Sequence, residues 1–153
     1  MKKNYKILIK FIKDMSIETP DVDSYLYVRD NISNYSLNID IKSKLLKPKI
    51  IQIETSLKYA DKSDNKKKSF FELVFATIIR LNEELKDTKD IAKIVLVDVQ
   101  NEIYPELEKN FISAIQVMFG IYNISYFFNT KSKFCAFTSN MELQQAVNCF
   151  VIF

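Results

Sequence analysis

Polar and apolar residues alternate along three runs of the chain. Tyr35, Leu37, Ile39 and Ile41 alternate with Ser36, Asn38, Asp40 and Lys42. Ile51, Ile53, Leu57 and Tyr59 alternate with Gln52, Glu54, Ser56 and Lys58, and Phe71, Leu73, Phe75, Ile79 and Leu81 form a third row. Successive strand residues point to opposite faces, so each run places its apolar side chains on one side of a sheet. The polar segments Leu46-Lys47-Pro48 and Asp61 to Lys68 predict hairpin connections between the runs. Such a sheet has one apolar face to cover and two edges to protect. The third run is apolar on its even side as well, at Phe70, Val74, Ala76 and Ile78. That predicts cover on both faces, with another subunit on the second.

A further strand precedes these. Tyr5, Ile7, Ile9 and Phe11 alternate with Lys6, Leu8, Lys10 and Ile12, leaving both faces partly apolar. Beyond Lys13, Met15 and Ile17 point one way, and Asp14, Ser16 and Glu18 the other. Asp14 and Glu18 then share a polar face about 13 Å apart, at about 3.3 Å per residue. Paired-carboxylate hydrolysis needs under about 10 Å. Two acids on an exposed strand can dock a basic partner or simply meet water. Pro20 cannot donate to a ladder and ends the strand. Residues 20–33, with Tyr25, Leu26 and Tyr27, read as a long loop crossing between strands.

After Thr88 the period changes. Leu107, Phe111, Ala114, Ile115 and Met118 recur at three and four, with Glu106, Lys109, Asn110, Ser113 and Gln116 facing away. Pro105 suits a helix's first turn, Glu106 and Glu108 suit its positive end, and Gly120 suits a left-handed stop. Ile91 to Val99 is rich in β-branched residues and reads as a strand on local propensity. Met141 to Cys149 is compatible with a short helix, and the apolar Phe150 to Phe153 needs cover from its own domain or a partner.

Composition removes several functions. The 153 residues are enough for one domain with a real core, and 48% hydrophobic with 27% charged residues describes a globular chain. A net charge of +3 is too small to argue for nucleic acid. Gly120 is the only glycine, which excludes glycine-rich phosphate loops. With no histidine, the commonest general base and zinc ligand is missing. Cys135 and Cys149 are too few for a metal cage and read as reduced thiols. The apolar run at Ile7-Leu8-Ile9 is interrupted by Lys10 and Lys13, unlike a signal peptide, and no stretch is long enough to span a membrane. No nucleophile is paired with a base at a recognisable spacing, so an enzyme is not expected.

Lys13-Asp14-Met15-Ser16-Ile17-Glu18-Thr19-Pro20 resembles the first-strand signature of the SecB family of export chaperones. Asn101-Glu102-Ile103-Tyr104-Pro105, the helix after it and Ile121 to Tyr126 are similar to the family's asparagine-x-x-aromatic-proline helix and its following extended segment. The resemblance covers residues 5–126 of a single domain, with 127–153 divergent. It implies an α+β fold: a four-stranded antiparallel sheet, a long helix that includes 91–99 and breaks near Pro105, and a short C-terminal helix. In that family the strand's aspartate and glutamate contact the motor SecA, which points to Asp14 and Glu18. The groove for unfolded clients would take Tyr35, Leu37 and Ile39 of the second strand, with Tyr25 and Tyr27 of the crossing loop. The family's dimer of dimers would place an interface on Ile7, Ile9, Phe111, Ile115 and Met118.

The implied function is an ATP-independent cytoplasmic holdase with no catalytic residue, metal or cofactor. It would bind unfolded precursors and deliver them to SecA. The chain departs from the family at the fourth strand, where Val74 and Ile78-Ile79 replace an acid and a glycine pair, and in lacking the acidic tail. Two alternatives follow: a chaperone dedicated to one client such as an antitoxin, or a non-chaperone adaptor subunit.

Overall fold

The computed structural model describes residues 3–61, 69–83, 87–120 and 151–152. Strands β1 (Tyr5–Glu18), β2 (Tyr35–Lys47), β3 (Ile50–Asp61) and β4 (Phe70–Leu81) form an antiparallel sheet in the order β1-β4-β3-β2. A two-residue strand, β5 (Val151–Ile152), adds to the outer side of β2, parallel to Ser43 and Lys44. The alternating rows fall as the sequence predicts. Ile51, Ile53, Leu57, Tyr59, Phe71, Leu73, Phe75, Ile79 and Leu81 are all buried on one face. The β2–β3 hairpin turns at Pro48 and Lys49, and Lys49 takes the left-handed φ of 66° that a glycine would adopt with less strain.

Strand β1 changes faces partway. Register shifts fall between Ile7 and Ile9 and between Ile12 and Asp14. Ile9 and Phe11 thereby lie opposite Ile78 and Ala76 on the uncovered face, while Lys10 and Ile12 lie opposite Thr77 and Phe75 on the covered one. Each extra residue flips the side chains after it, which is why this strand reads as apolar on both sides.

Residues 20–33 are not a loop. They form helix α1 (Val22–Asn31) followed by a short 3-10 turn, Ile32–Asn34. Asp21 caps the helix by accepting from the Ser24 amide at 2.7 Å, Asp23 sits in the first turn and Arg29 in the last. Val28 and Ile32 bury themselves, with Tyr25 packed against the same core. A helix suits this crossing. Strands β1 and β2 are three spacings apart, about 14 Å, and ten residues of helix span about 15 Å.

Helix α2 (Thr88–Lys93), a π-helical segment (Ile94–Asp98) and α3 (Val99–Phe119) run on from one another across the covered face. The β-branched 91–99 is therefore helical, as the family resemblance implies and local propensity does not. The expected break near Pro105 is absent: Pro105 lies inside α3, and the irregularity is the π segment before it. The Asn101 carbonyl that loses its partner to the proline belongs to an exposed residue, where water can serve it. Gln100 stitches the loose segment to the sheet. Fully buried, it donates from Nε2 to the Val95 carbonyl at 3.0 Å and accepts at Oε1 from Thr55 Oγ1 at 2.9 Å. Ile103, Leu107, Phe111 and Ile115 form the buried stripe of α3, and Gly120 ends it at φ 61° with its amide on the Gln116 carbonyl. Lys3 and Tyr5 donate to Glu102, and Lys10 pairs with Glu106, which fastens β1 to the helix. The short helix expected at Met141–Cys149, both cysteines and the hairpin tip at 62–68 lie outside the described residues.

Candidate client groove and recognition face

Helix α1 meets the sheet at the end of β2 through a cluster of rings. Tyr35 lies 5.3 Å from Tyr59 and 6.5 Å from Phe71 between ring centroids, and Tyr59 lies 6.1 Å from Phe71. Such tilted pairs add about 0.5–1.5 kcal/mol each beyond their buried area. The Tyr59 hydroxyl donates to the Ile32 carbonyl at 3.0 Å, and the Tyr27 hydroxyl donates to Asp61 Oδ2 at 2.8 Å. Burial pushes the Tyr35 phenol up to about 12, with Asp61 and Tyr27 adding to the effect, and burial pushes Tyr59 to about 12 too. Both rings stay neutral and apolar at physiological pH.

Tyr35 is thus closed into the core, whereas Tyr25, Tyr27, Leu37 and Ile39 remain half-buried beside it. Val22 and Leu26 on α1 are exposed, at 72% and 39%. The sequence reading missed Asp61, which holds Tyr27 in place. Its signal was a carboxylate in the otherwise apolar odd row of β3. It also missed Val22 and Leu26, because the segment was not read as a helix.

The other face of the sheet is polar and open. Asp14 and Glu18 are exposed there, opposite Val74 and Phe70. Their neighbours already hold one another. Lys13 Nζ lies 2.6 Å from Glu54 Oε1, Gln52 Nε2 donates to the same oxygen at 2.6 Å, and Ser56 Oγ donates to Glu72 Oε1 at 3.2 Å. The hydrogen bond from Lys13 holds the Glu54 carboxyl below its ordinary range. Lys58 stands over the Phe70 ring at 4.9 Å. Among the described residues neither Asp14 nor Glu18 is in an ion pair. Ala76 on this face is buried, with Phe11 opposite it in register.

The expected interface residues divide. Phe111 and Ile115 are 2% and 0% exposed and pack into the protomer's own core. Ile7 is half-buried, and Ile9 and Met118 are about half exposed, at 52% and 49%. Leu8, Phe11, Ile12 and Met15 extend the exposed apolar surface along β1. Among the described residues no group of three or more His, Cys, Asp or Glu could hold a metal ion, and no helix is long and apolar enough to cross a membrane.

This sheet-and-helix arrangement, with its first-strand acids, has known relatives. The family described as Preprotein translocase subunit SecB matches residues 1–122. The chain belongs to the SecB family. It is 48% identical over 115 residues to a "Putative protein-export protein SecB" of Pelagibacter ubique (strain HTCC1062), covering 75% of this chain and 82% of that one. Among solved structures it is similar to a SecB-like chaperone of Mycobacterium tuberculosis in complex with a ChAD peptide from an antitoxin. The TM-score there is 0.51 at 9% identity, covering 70% of this chain and 75% of that one, so the likeness is of fold alone. SecB proteins are chaperones of protein export rather than enzymes, and this chain takes that role with its family.

Proposed function

We propose that this protein is an ATP-independent holdase. It binds unfolded polypeptides in the groove between α1 and β2, keeps them competent for export in the cytoplasm, and passes them to SecA. The observation that carries this reading is the half-buried set Tyr25, Tyr27, Leu37 and Ile39 beside exposed Val22 and Leu26, an apolar surface with no catalytic group in it. A client gains by burying its own apolar side chains there, at about 25 cal/mol per Å². Exposed Asp14 and Glu18 on the open face are the SecA contact in this account. The working assembly is a dimer of dimers, with Ile9 and Met118 on surfaces available to a second copy.

A second reading, a chaperone dedicated to one client, has one observation in its favour. The open face carries Lys13, Lys42 and Lys58 among its acids, and Lys13 and Lys42 pair with Glu54 and Asp40. A basic docking surface finds less net negative charge there. Mixing experiments separate the two. A general holdase suppresses aggregation of unrelated unfolded proteins at near-stoichiometric ratio, seen by light scattering. Protection of a single client alone supports the dedicated reading, and protection of none returns the chain to an adaptor role.

A further inference from the structure

We propose that the outer edge of β2 is a strand-acceptor site for extended, β-branched apolar polypeptide, and that the chain's own Val151–Ile152 segment competes for it. The proposal rests on the holdase reading and names how a client's backbone would be held.

The two edges of the sheet are built differently. Strand β1 breaks its register twice, between Ile7 and Ile9 and between Ile12 and Asp14, and carries Lys6, Lys10 and Lys13. Bulges and lysines are the usual means of making an edge a poor template. Strand β2 is regular by contrast. It pairs with β3 from Tyr35 opposite Asp61 to Leu45 opposite Ile51 without a shift. A regular strand offers evenly spaced N–H and C=O groups along its free side.

That free side already accepts a strand. Val151 and Ile152 pair parallel to Ser43 and Lys44. Among the described residues no other strand meets β2 on this side, so Tyr35 to Lys42 stay available next to the bridge. The same stretch carries half-buried Leu37 and Ile39. An incoming strand therefore finds a ladder for its backbone and apolar neighbours for alternate side chains, the two parts of recognition by strand addition. The resident pair, valine and isoleucine, shows which chemistry the edge accepts: β-branched, apolar and extended. A short client strand fits upstream of the bridge, whereas one running on past Lys42 must displace it. The apparent affinity for long extended segments is then lowered by the fraction of time the resident pair holds the edge.

Full-length protein is compared with a Val151→Pro, Ile152→Pro double variant, because proline cannot donate to a ladder. The probes are an alternating threonine–valine peptide and a composition-matched peptide interrupted by prolines. We expect the variant to bind the first peptide at least about two-fold more tightly, as removal of a competitor that holds half the sites would give. The interrupted peptide should gain nothing, and amides of β2 should exchange more slowly when the first peptide is bound. A Val151→Asp, Ile152→Asp variant, which keeps its N–H groups, should shift affinity the same way. Equal affinity for both proteins, or an equal gain for the interrupted peptide, overturns the proposal. Binding of a permanently unfolded protein by the unaltered chain reports separately on the holdase reading. If that binding is present and the peptide gain absent, only the strand-acceptor proposal falls. If the gain is present and that binding absent, the holdase reading falls alone.

Discussion

The two faces of the sheet are made by the same strands and have almost nothing else in common. On the covered face Ile53, Leu57, Phe71, Phe75 and Ile79 meet Ile103, Leu107, Phe111 and Ile115 of α3 in a closed core. On the open face Lys13 meets Glu54, Ser56 meets Glu72, and Lys58 covers Phe70, all in contact with water. The difference teaches that a period-two pattern assigns one face to stability and leaves the other free for recognition. Substitutions on the two faces should therefore separate cleanly, with stability lost from one and binding from the other.

The largest effect belongs to the covered face. Phe71→Ala should lower the free energy of unfolding by about 3–5 kcal/mol in a denaturant titration, since it empties a site that is 1% exposed. A loss below about 1 kcal/mol would mean the face is not closed. Gln100→Ala comes next. It leaves Thr55 Oγ1 and the Val95 carbonyl without this partner and should cost about 1–3 kcal/mol.

A pH titration sharpens the contrast further. Tyr35 and Tyr59 lose their protons near 10 in the unfolded chain but near about 12 in the folded one, because burial disfavours the phenolate. Between those values the folded state holds protons that the unfolded state has released, so stability falls as pH rises from 10 to about 12. Tyr35→Phe with Tyr59→Phe should flatten that alkaline limb in thermal melts.

The smallest stability effects lie on the open face. Glu54, held down by Lys13, contributes at neutral pH and loses that contribution as pH falls through its lowered value. The pair is worth at most about 1 kcal/mol after solvent screening. Asp14→Ala with Glu18→Ala should leave the midpoint within about 0.5 kcal/mol and yet weaken SecA binding. Unchanged SecA affinity would remove these acids from the docking surface.

Most of the sheet was legible because one face is buried throughout. A strand with Tyr59, Leu57 and Ile53 on one side and Lys58, Ser56 and Glu54 on the other has one register that keeps oil from water. Strand β1 was less legible because its two bulges exchange the faces, and no local rule places a bulge. Helix α1 was misread as a loop, although Asp21 before Tyr25, Val28 and Ile32 at helical spacing is a cap followed by a stripe. The helical 91–99 defied its β-branched residues because packing over the sheet, through Ala92, Ile94, Val95 and Leu96, outweighs weak local propensity. The groove was legible as residue types only. That Tyr35 closes while Tyr27 and Leu37 stay partly open depends on where α1 docks, which the pattern on β2 does not contain.

The central claim is that unfolded chains bind at the α1–β2 groove by apolar contact. Residue-resolved amide exchange, with and without a permanently unfolded protein, tests it most directly. The account predicts slowed exchange across residues 22–31 and 35–41, abolished by Leu37→Asp with Ile39→Asp. Slowed exchange confined to β1 and the open face, unaffected by those substitutions, would contradict it.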